Sequence, residues 1–212
     1  MLFKNTPEKF WNLIASKYAA SPISDRTAYE TKIQKIKSHL TNESRVLDIG
    51  CATGTQCGGI AGEVKQVTGI DISSKLLTIA EQRMAERKLG NIEFFQTTVF
   101  DERFKSGSFD VVTAFYVLHF FEDIDSVFNR IHDLLKPGGL FISETACLGE
   151  RNIVMARLLR FAGQLGFLPL TNLLTTQKLE HALDKAGFTI IDKTKFSKSS
   201  YAEFTLFARK PE

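Results

Sequence analysis

The 212-residue sequence is poor in cysteine, and it lacks both long apolar runs and a strong charge of either sign. Its three cysteines, Cys51, Cys57 and Cys147, form no Cys-x-x-Cys pair, and no secretory signal is recognisable, so we expect a reduced, cytoplasmic protein. The four histidines show no ligand spacing with the cysteines, which argues against a metal site. Because no apolar run approaches the ~20 residues that span a bilayer, we expect no stable membrane insertion.

The composition is that of a globular protein with a substantial core, since 43% of the residues are hydrophobic and 24% are charged. A length of 212 residues predicts a single domain. The net charge is only +3, and lysine and arginine are spread along the chain instead of forming a basic stripe. Nucleic acid is therefore not an expected partner. The oligomeric state is left open by these features.

Two helices are predicted before the first strand, and they form a helical cap over residues 1–42. Thr6-Pro7 is a typical helix start, with a capping hydroxyl followed by proline at the first helical position. The second helix begins after Asp25, another capping residue. Its apolar face repeats at helical spacing and consists of Tyr29, Ile33, Ile36 and Leu40.

Strands and helices then alternate across residues 44–145, which predicts the core of an α/β fold. Near-continuous apolar strands are predicted at residues 45–49, 66–70, 92–97, 109–115 and 140–144. Helices are predicted between them at residues 55–63, 73–88 and 123–135, with Gly90 ending the second and Pro137-Gly138-Gly139 ending the third. Such strands, separated by helices, indicate a parallel sheet covered on both faces.

The alternation changes after residue 145. Residues 146–175 are rich in Leu, Phe and Arg, and they either pack on the core as an amphipathic helix or cover the substrate as a lid. Their position favours the lid, whereas three arginines are too few for strong attraction to a membrane surface. Residues 176–212 contain a last helix, ended by Gly187, and two strands with no helix between them, which predicts a β-hairpin at the sheet edge.

The most informative motif is the turn Gly50-Cys51-Ala52-Thr53-Gly54 together with Asp71 at the end of the second strand. Glycine permits close approach of a ligand, and the helix that follows offers free N–H groups to a carboxylate. Asp71 lies 17 residues beyond Gly54, where a carboxylate can accept hydrogen bonds from both hydroxyls of a ribose. An ordinary tight turn and a helix cap are the alternatives, but the spacing favours a pocket for an adenosine-containing cofactor.

The chain resembles the class I S-adenosylmethionine-dependent methyltransferases over residues 44–145. The resemblance rests on four segments in the order typical of that family, Val46–Gly54, Val67–Ile72, Ser108–Val112 and Leu134–Gly139. It implies a Rossmann-like sheet of seven mostly parallel strands with an antiparallel last strand and helices on both faces. It also implies S-adenosyl-L-methionine as cofactor and methyl transfer to a small-molecule acceptor.

The outer segments resemble a narrower bacterial group of small methyltransferases, for which the resemblance implies no particular substrate. The matching residues are Trp11-x-x-x-Ala15-x-x-Tyr18-Ala19, Pro22-Ile23-x-Asp25-x-x-x-Tyr29 and Thr145-x-Cys147-Leu148-Gly149.

The resemblance to the larger family implies roles for individual residues. The pocket for the methionine portion would consist of Asp48, Gly50, Cys51, Ala52 and Gly54. Asp71 would hold the ribose and Ile72 would pack on the adenine, whose edge would be lined by Thr98 and Val99. The residues around the sulfonium would be Phe115 and Tyr116 beneath it, with Tyr18 closing over the cofactor from the N-terminal helix.

Five further positions bear on binding and chemistry. Ala52 replaces the usual middle glycine, and Thr97 stands where many relatives place an acid near the adenine amine. A hydroxyl there can still accept a hydrogen bond worth on the order of 1 kcal/mol. Tyr18 and His119 are candidates for a general base, although we prefer a structural role for His119 because methyl transfer often needs no strong base. Glu144, at the end of the fifth strand, either contacts the substrate or is a solvated acid.

Two other functions share part of this pattern. A nicotinamide-dependent oxidoreductase has the same strand, turn and distal acid, but its G-x-G-x-x-G sequence is not matched by Gly50-x-Ala52-x-Gly54. A cofactor-binding protein without turnover is compatible with every motif, because methyl transfer requires no invariant catalytic residue. A nucleic-acid methyltransferase is disfavoured, since Phe115-Tyr116-Val117-Leu118 replaces the Asn/Asp-Pro-Pro-Tyr/Phe motif after the fourth strand.

Overall fold

The fold is known from a computed structural model that describes residues 6–150, 153–164, 168–196 and 204–212. Seven strands form one sheet in the order β3-β2-β1-β4-β5-β7-β6. The strands are β1 Arg45–Ile49, β2 Gln66–Asp71, β3 Ile92–Gln96, β4 Phe109–Phe115, β5 Leu135–Glu144, β6 Thr189–Thr194 and β7 Thr205–Arg209. The helices are α1 Pro7–Ala20, α2 Arg26–Lys37, α3 Thr55–Ile60, α4 Ser74–Glu86, α5 Ile124–Leu134, α6 Ile153–Gln164 and α7 Thr176–Lys185.

The strand directions confirm the predicted fold class. β1 pairs in parallel with β2 and β4, and the parallel pairs β2–β3 and β4–β5 extend the sheet on both sides. β7 is antiparallel to both β5 and β6, so the last strand runs against the other six. This arrangement brings the carboxyl ends of β1, β2, β4 and β5 to the same edge of the sheet. In open α/β sheets, that edge is where ligands bind.

Helices cover both faces of the sheet, as predicted for buried parallel strands. On one face, α5 and α7 pack through Phe128 and Leu183 against the apolar side chains of β1, β4 and β5. On the other face, α2 and α3 pack through Ile36 and Ile60. Side chains alternate along β5, so Leu140, Ile142 and then Glu144 point to the face that α2 covers.

Four predicted element boundaries are wrong, beginning with α2, which ends at Lys37 although Leu40 was predicted on its apolar face. β5 begins at Leu135 instead of Leu140, because Gly138 adopts φ +72° and a bulge opposite Phe109–Val111 lets the strand begin earlier. α4 ends at Glu86, and Lys88 takes the left-handed position (φ +55°) that was predicted for Gly90. The helix predicted at residues 55–63 becomes a 3₁₀ turn after residue 60.

The predictions for the C-terminal third agree in part. α7 ends before Gly187, which adopts φ +88° as a terminating glycine should. β6 and β7 pair as predicted, but residues 197–203 between them lie outside the described residues. Arg157 and Arg160 on α6 are exposed, whereas Arg151 lies outside the described residues. No helix among the described residues is both long enough and apolar enough to cross a membrane.

Candidate functional site

Two adjoining cavities open at the carboxyl edge of the sheet. The first, of about 220 Å³, lies above the ends of β1, β2 and β4 and is mostly apolar. The second, of about 800 Å³, lies between the N-terminal helices and the ends of β4 and β5. Five residues line both cavities: Tyr18, Gly50, Ala52, Phe115 and Tyr116.

The turn after β1 is held in a tight conformation that only small residues accept. Gly50 has φ +70°, and a Cβ atom there would lie 2.6 Å from Cγ2 of Val117. The Gly50 amide donates to the carbonyl of Ile70 (2.8 Å), which fastens the turn to β2. Ala52 also has a positive φ, +47°, so its methyl group is tolerated in a strained backbone. The turn therefore brings main-chain atoms to the boundary between the cavities.

Asp71 is held rigidly at the end of β2. One carboxylate oxygen accepts from the amide of Ala52 (3.0 Å) and the other accepts from the amide of Ser73 (2.8 Å). Burial raises the pKa of Asp71, while these backbone hydrogen bonds oppose the rise. Each oxygen keeps a lone pair for another donor. The carboxylate lines the first cavity and can accept from two neighbouring hydroxyls.

The first cavity has apolar walls and a polar end. Ile72, Thr98 and Val99, predicted at the adenine, all line it, and Thr97 lies beside them. The Thr97 hydroxyl donates to the carboxylate of Asp101 (2.6 Å), so its oxygen is oriented as an acceptor. The carboxylate of Asp101 thus lies behind Thr97 and influences the cavity through the Thr97 hydroxyl. Such walls suit a flat heterocycle with an exocyclic amine.

Asp48 is a buried carboxylate on the second cavity. It accepts hydrogen bonds from the Thr113 hydroxyl (2.6 Å) and the Cys57 thiol (3.2 Å). Burial raises the pKa of Asp48 to about 6, and these two hydrogen bonds limit the increase. The negative charge of Asp48 is therefore poorly compensated by the protein itself. A cationic group in the second cavity would stabilise it.

Two residues beside the turn carry donors toward the second cavity. Gln56, in the first turn of α3, has a buried amide nitrogen with no hydrogen-bond partner among the described residues. Arg83 of α4 donates to the Thr53 hydroxyl (2.8 Å) and to the carbonyl of Ala19 (2.7 Å). These side chains and the N-terminus of α3 favour an anionic group at this end of the cavity.

A buried ion pair forms the opposite wall of the second cavity. Lys32 of α2 donates to the Glu144 carboxylate at 2.5 Å, and the two residues are only 8% and 4% exposed. The other carboxylate oxygen accepts from the Tyr116 hydroxyl (2.7 Å). The backbone of Tyr116 is also fixed, since its amide donates to the Glu144 carbonyl (2.7 Å) in a left-handed conformation. Of the two alternatives that the sequence left open for Glu144, the solvated acid is therefore excluded.

Most residues predicted at the cofactor lie on a cavity wall. Asp48 and Cys51 line the second cavity, and Tyr18 lines both. Gly54 lies outside both linings, and a Cβ atom there would lie 3.0 Å from the ring of Phe94. Its left-handed conformation starts α3 instead.

The two candidate bases have different surroundings. His119 is buried in the 3₁₀ turn after β4, outside both cavity linings, and its carbonyl accepts from the amide of Asn172 (2.7 Å). Burial and the nearby Asp71 carboxylate raise the pKa of Tyr18, which keeps its hydroxyl protonated at neutral pH. Neither arrangement favours proton abstraction. No group of metal-ligating side chains occurs within the described part of the chain.

Several residues on the cavity walls escaped the sequence analysis. They are Trp11, Lys32, Gln56, Arg83 and Phe120. The sequence does indicate that Lys32 is unusual, because this charged residue falls within the apolar stripe of α2, between Tyr29 and Ile36. The others are brought in by packing between elements, which no local pattern indicates.

Comparisons with known proteins agree with this geometry. A family model described as "Methyltransferase domain" matches residues 40–192. The demethylmenaquinone methyltransferase of Lactococcus lactis is 34% identical over 139 residues, which cover 62% of this chain and 55% of that protein. The ubiquinone biosynthesis O-methyltransferase of Mesorhizobium japonicum is 31% identical over 157 residues, covering 71% and 61% respectively. The chain spans about half the length of the first curated relatives that it matches.

Solved structures support the fold. A SAM-dependent methyltransferase from Aquifex aeolicus has a TM-score of 0.69 at 15% identity, covering 92% of this chain and 97% of that one. The (4+2)-cyclase SpnF has a TM-score of 0.77 at 18% identity, covering 98% and 96%. At such identities the likeness shows the fold alone. The family match, in contrast, extends over most of the sequence, and the chain therefore belongs to the class I S-adenosylmethionine-dependent methyltransferases, whose cofactor is S-adenosyl-L-methionine.

Proposed function

We propose that this protein transfers a methyl group from S-adenosyl-L-methionine to a small molecule by in-line displacement. The observation that carries the proposal is the junction of the two cavities at Tyr18, Phe115 and Tyr116. One cavity has the residues expected for an adenosine, and the other is large enough for the methionine portion and an acceptor. When bound, the cofactor supplies a methyl group that is already activated by a positively charged sulfur.

The residues present fit this cofactor. Asp71 would accept from the ribose hydroxyls, while Thr97 would accept from the adenine amine and Ile72 would pack on the ring. Asp48 would attract the ammonium group, because its own charge is poorly compensated. Gln56 would donate to the carboxylate, which explains a buried amide without a partner among the described residues. Asp71 lines the first cavity and Gln56 lines the second.

Alignment and exclusion of water are sufficient for catalysis at such a site. Good alignment of two bound reactants contributes roughly 7–11 kcal/mol to lowering a barrier. Aromatic walls from Phe115, Tyr116 and Tyr18 would enclose the reacting atoms and suit a transition state in which positive charge disappears from sulfur. A strong base is not required for this step, in agreement with the position of His119 outside both cavities.

A small-molecule acceptor is supported by the size of the second cavity, about 800 Å³, and by its position against α1 and α2. One of the two curated relatives is named a demethylmenaquinone methyltransferase and the other a ubiquinone biosynthesis O-methyltransferase, which also favours a small molecule. We propose that residues 146–175 act as a lid over this acceptor, as their position after β5 suggests.

The test compares Asp71→Asn with the wild-type protein. The amide keeps an oxygen for only one of the two backbone donors, Ala52 and Ser73, and it loses the negative charge proposed to hold the ribose. Affinity for S-adenosyl-L-methionine should therefore fall roughly 10–100-fold. Calorimetry measures the affinity, and S-adenosylhomocysteine formation with a mixture of metabolites measures turnover. Asp125→Asn is the matched control, because Asp125 forms only an exposed ion pair with Lys185.

Unchanged affinity of Asp71→Asn for S-adenosyl-L-methionine would show that Asp71 does not bind the ribose. Tight binding by the wild-type protein without S-adenosylhomocysteine formation from any metabolite mixture would favour a binding protein without turnover. Binding of a nicotinamide cofactor instead would support the oxidoreductase alternative.

A further inference from the structure

The ammonium group of Lys32 lies on the wall of the second cavity, beside the aromatic residues at its junction with the first. Its Nζ is 4.9 Å from the ring centre of Phe115 and 5.7 Å from that of Tyr116, the two residues at the junction of the cavities. Lys32 enters this wall from α2, and its partner Glu144 enters from β5, 112 residues further along the chain. The pair therefore belongs to the second cavity and not to the cofactor cavity.

Hydrogen-bonding capacity distinguishes the two members of the pair. The Glu144 carboxylate already accepts from Lys32, from the Tyr116 hydroxyl and, at 3.2 Å, from the Thr205 hydroxyl. An ammonium group has three donors, and Glu144 takes the only one for which the described residues provide an acceptor. The group available to a ligand is consequently the ammonium, and the carboxylate serves to hold it in place.

Stability alone does not explain this pair. A buried ion pair loses the hydration of both charges, and replacing such a pair with apolar side chains is often neutral or stabilising. Tyr116 adds a further cost through its left-handed backbone, φ +54°, which is fixed by two hydrogen bonds to Glu144. Strain and buried charge together at a cavity wall favour a role toward a ligand.

We propose that Lys32 binds the reacting oxygen of the acceptor as an anion, and that the acceptor is a planar oxygen acid, a phenol or an enol. Glu144 and Tyr116 are positioning residues for Lys32. This inference rests on the proposed methyl transfer and names the acceptor class for the same site. The aromatic walls formed by Phe115 and Tyr116 match a planar acceptor.

The chemistry balances without a further reactant. The acceptor hydroxyl loses its proton to bulk water as the acceptor binds, before the reacting atoms are enclosed, because a nearby ammonium lowers the pKa of a bound acid. The oxyanion then forms a bond to the methyl carbon while the carbon–sulfur bond breaks and leaves its electron pair on sulfur. The product is a neutral ether, which Lys32 binds less strongly than an anion. An amine acceptor would instead gain positive charge beside Lys32, which opposes that reaction.

The test uses ionisation of a chromogenic nitrophenol bound to the S-adenosylhomocysteine complex, followed by its absorbance as the pH is varied. In the wild-type protein the pKa of the bound phenol should fall by about one to three units. Lys32→Gln/Glu144→Gln neutralises the pair without leaving a lone buried charge, and it should return this pKa to the solution value. Tyr116→Phe should give an intermediate value. Lys37→Gln removes a lysine from the same helix and should match the wild type.

Turnover is measured in parallel with matched phenols, anilines and thiophenols. We expect methylation of the phenols, with kcat/KM reduced roughly 10–100-fold in the double variant while affinity for S-adenosyl-L-methionine is retained. The inference is overturned if the wild-type protein does not bind the phenol, or binds it without lowering its pKa. Turnover confined to anilines or thiophenols overturns it as well. Failure of the wild-type protein to bind S-adenosyl-L-methionine would instead refute the proposed function.

Discussion

At the level of single residues, the site combines strained backbone with buried charge. Ala52 and Tyr116 adopt left-handed conformations, with φ +47° and +54°, and each such position costs on the order of 1–3 kcal/mol. Both residues border the junction of the two cavities. The rest of the fold must offset these costs, which is a common feature of ligand-binding sites.

Asp48 makes the stability of the free protein depend on pH. Its pKa is raised by burial from 3.8 to about 6, so the folded state binds an extra proton between these values. Stability from this group is therefore present below about pH 4 and is lost as pH rises through 6. At neutral pH the loss is on the order of 3 kcal/mol. A cationic ligand group would recover part of it.

Asp48→Asn should remove this pH dependence. Because the amide has no charge, the variant should gain roughly 2 kcal/mol relative to wild type between pH 4.5 and 7. Urea unfolding of both proteins at matched pH values measures the difference and cancels the contribution of Asp71, whose pKa is also raised. Affinity for S-adenosyl-L-methionine should fall in the variant at pH 7. Parallel stability curves across this range would show that Asp48 does not titrate as described.

At the level of secondary-structure elements, helix α1 is joined to the core beside the cofactor cavity. Asn12 accepts hydrogen bonds from the Ser73 hydroxyl (2.7 Å) and the Lys75 amide (3.1 Å), both at the start of α4. The ring of Trp11 packs edge-on against Phe120 with centres 5.5 Å apart. These contacts hold Tyr18, one helical turn or more away, over the junction of the cavities.

Asn12→Ala should loosen α1 without touching the cofactor, because Asn12 lies outside both cavity linings. We expect affinity for S-adenosyl-L-methionine to fall about 3–10-fold, the equivalent of losing one net hydrogen bond. Calorimetry measures the affinity, and limited proteolysis within residues 6–24 measures the loosening. Ser16→Ala, on the exposed side of α1, is the control. If Asn12→Ala and the wild type bind the cofactor equally tightly, the attachment of α1 to α4 does not contribute to cofactor binding.

Local sequence patterns predicted most elements because capping residues and apolar periods act over a few residues. Thr6 and Asp25 cap α1 and α2 as expected, because their side-chain oxygens accept hydrogen bonds from the amides of Lys9 and Ala28. The end of α4 was missed because the chain tolerates Lys88 in a conformation usually reserved for glycine. The early start of β5 was missed because its bulge depends on pairing with β4.

At the level of the whole molecule, the strand order decides which parts of the site a sequence can reveal. The glycine turn and Asp71 lie at the ends of neighbouring strands and form a familiar spacing, so the sequence alone could predict that they meet at one cavity edge. The Lys32–Glu144 pair joins α2 to β5 across 112 residues, and its formation depends on the complete sheet. The acceptor side therefore required the tertiary structure.

This layout predicts a localised response to S-adenosyl-L-methionine in hydrogen exchange. The cofactor contacts should lie at residues 50–56 and 71–76, with α1 closing over them, so these amides should exchange more slowly when the ligand is saturating. α7, Thr176–Lys185, lines neither cavity and packs against α5 on the face opposite to α2. Its amides that exchange by local opening should be unaffected, since the ligand does not touch the structure that opens.

Mass spectrometry of the exchanged peptides, with and without the cofactor, distinguishes two models. In the proposed one, binding protects the turn, the end of β2 and α1 together, because the cavity is shared among them. Uniform slowing across α7 as well would mean that the ligand acts only by stabilising the whole fold against global unfolding. Protection of the turn without α1 would mean that Tyr18 does not close over the cofactor, and the enclosure required for the proposed chemistry would have to come from residues 146–175.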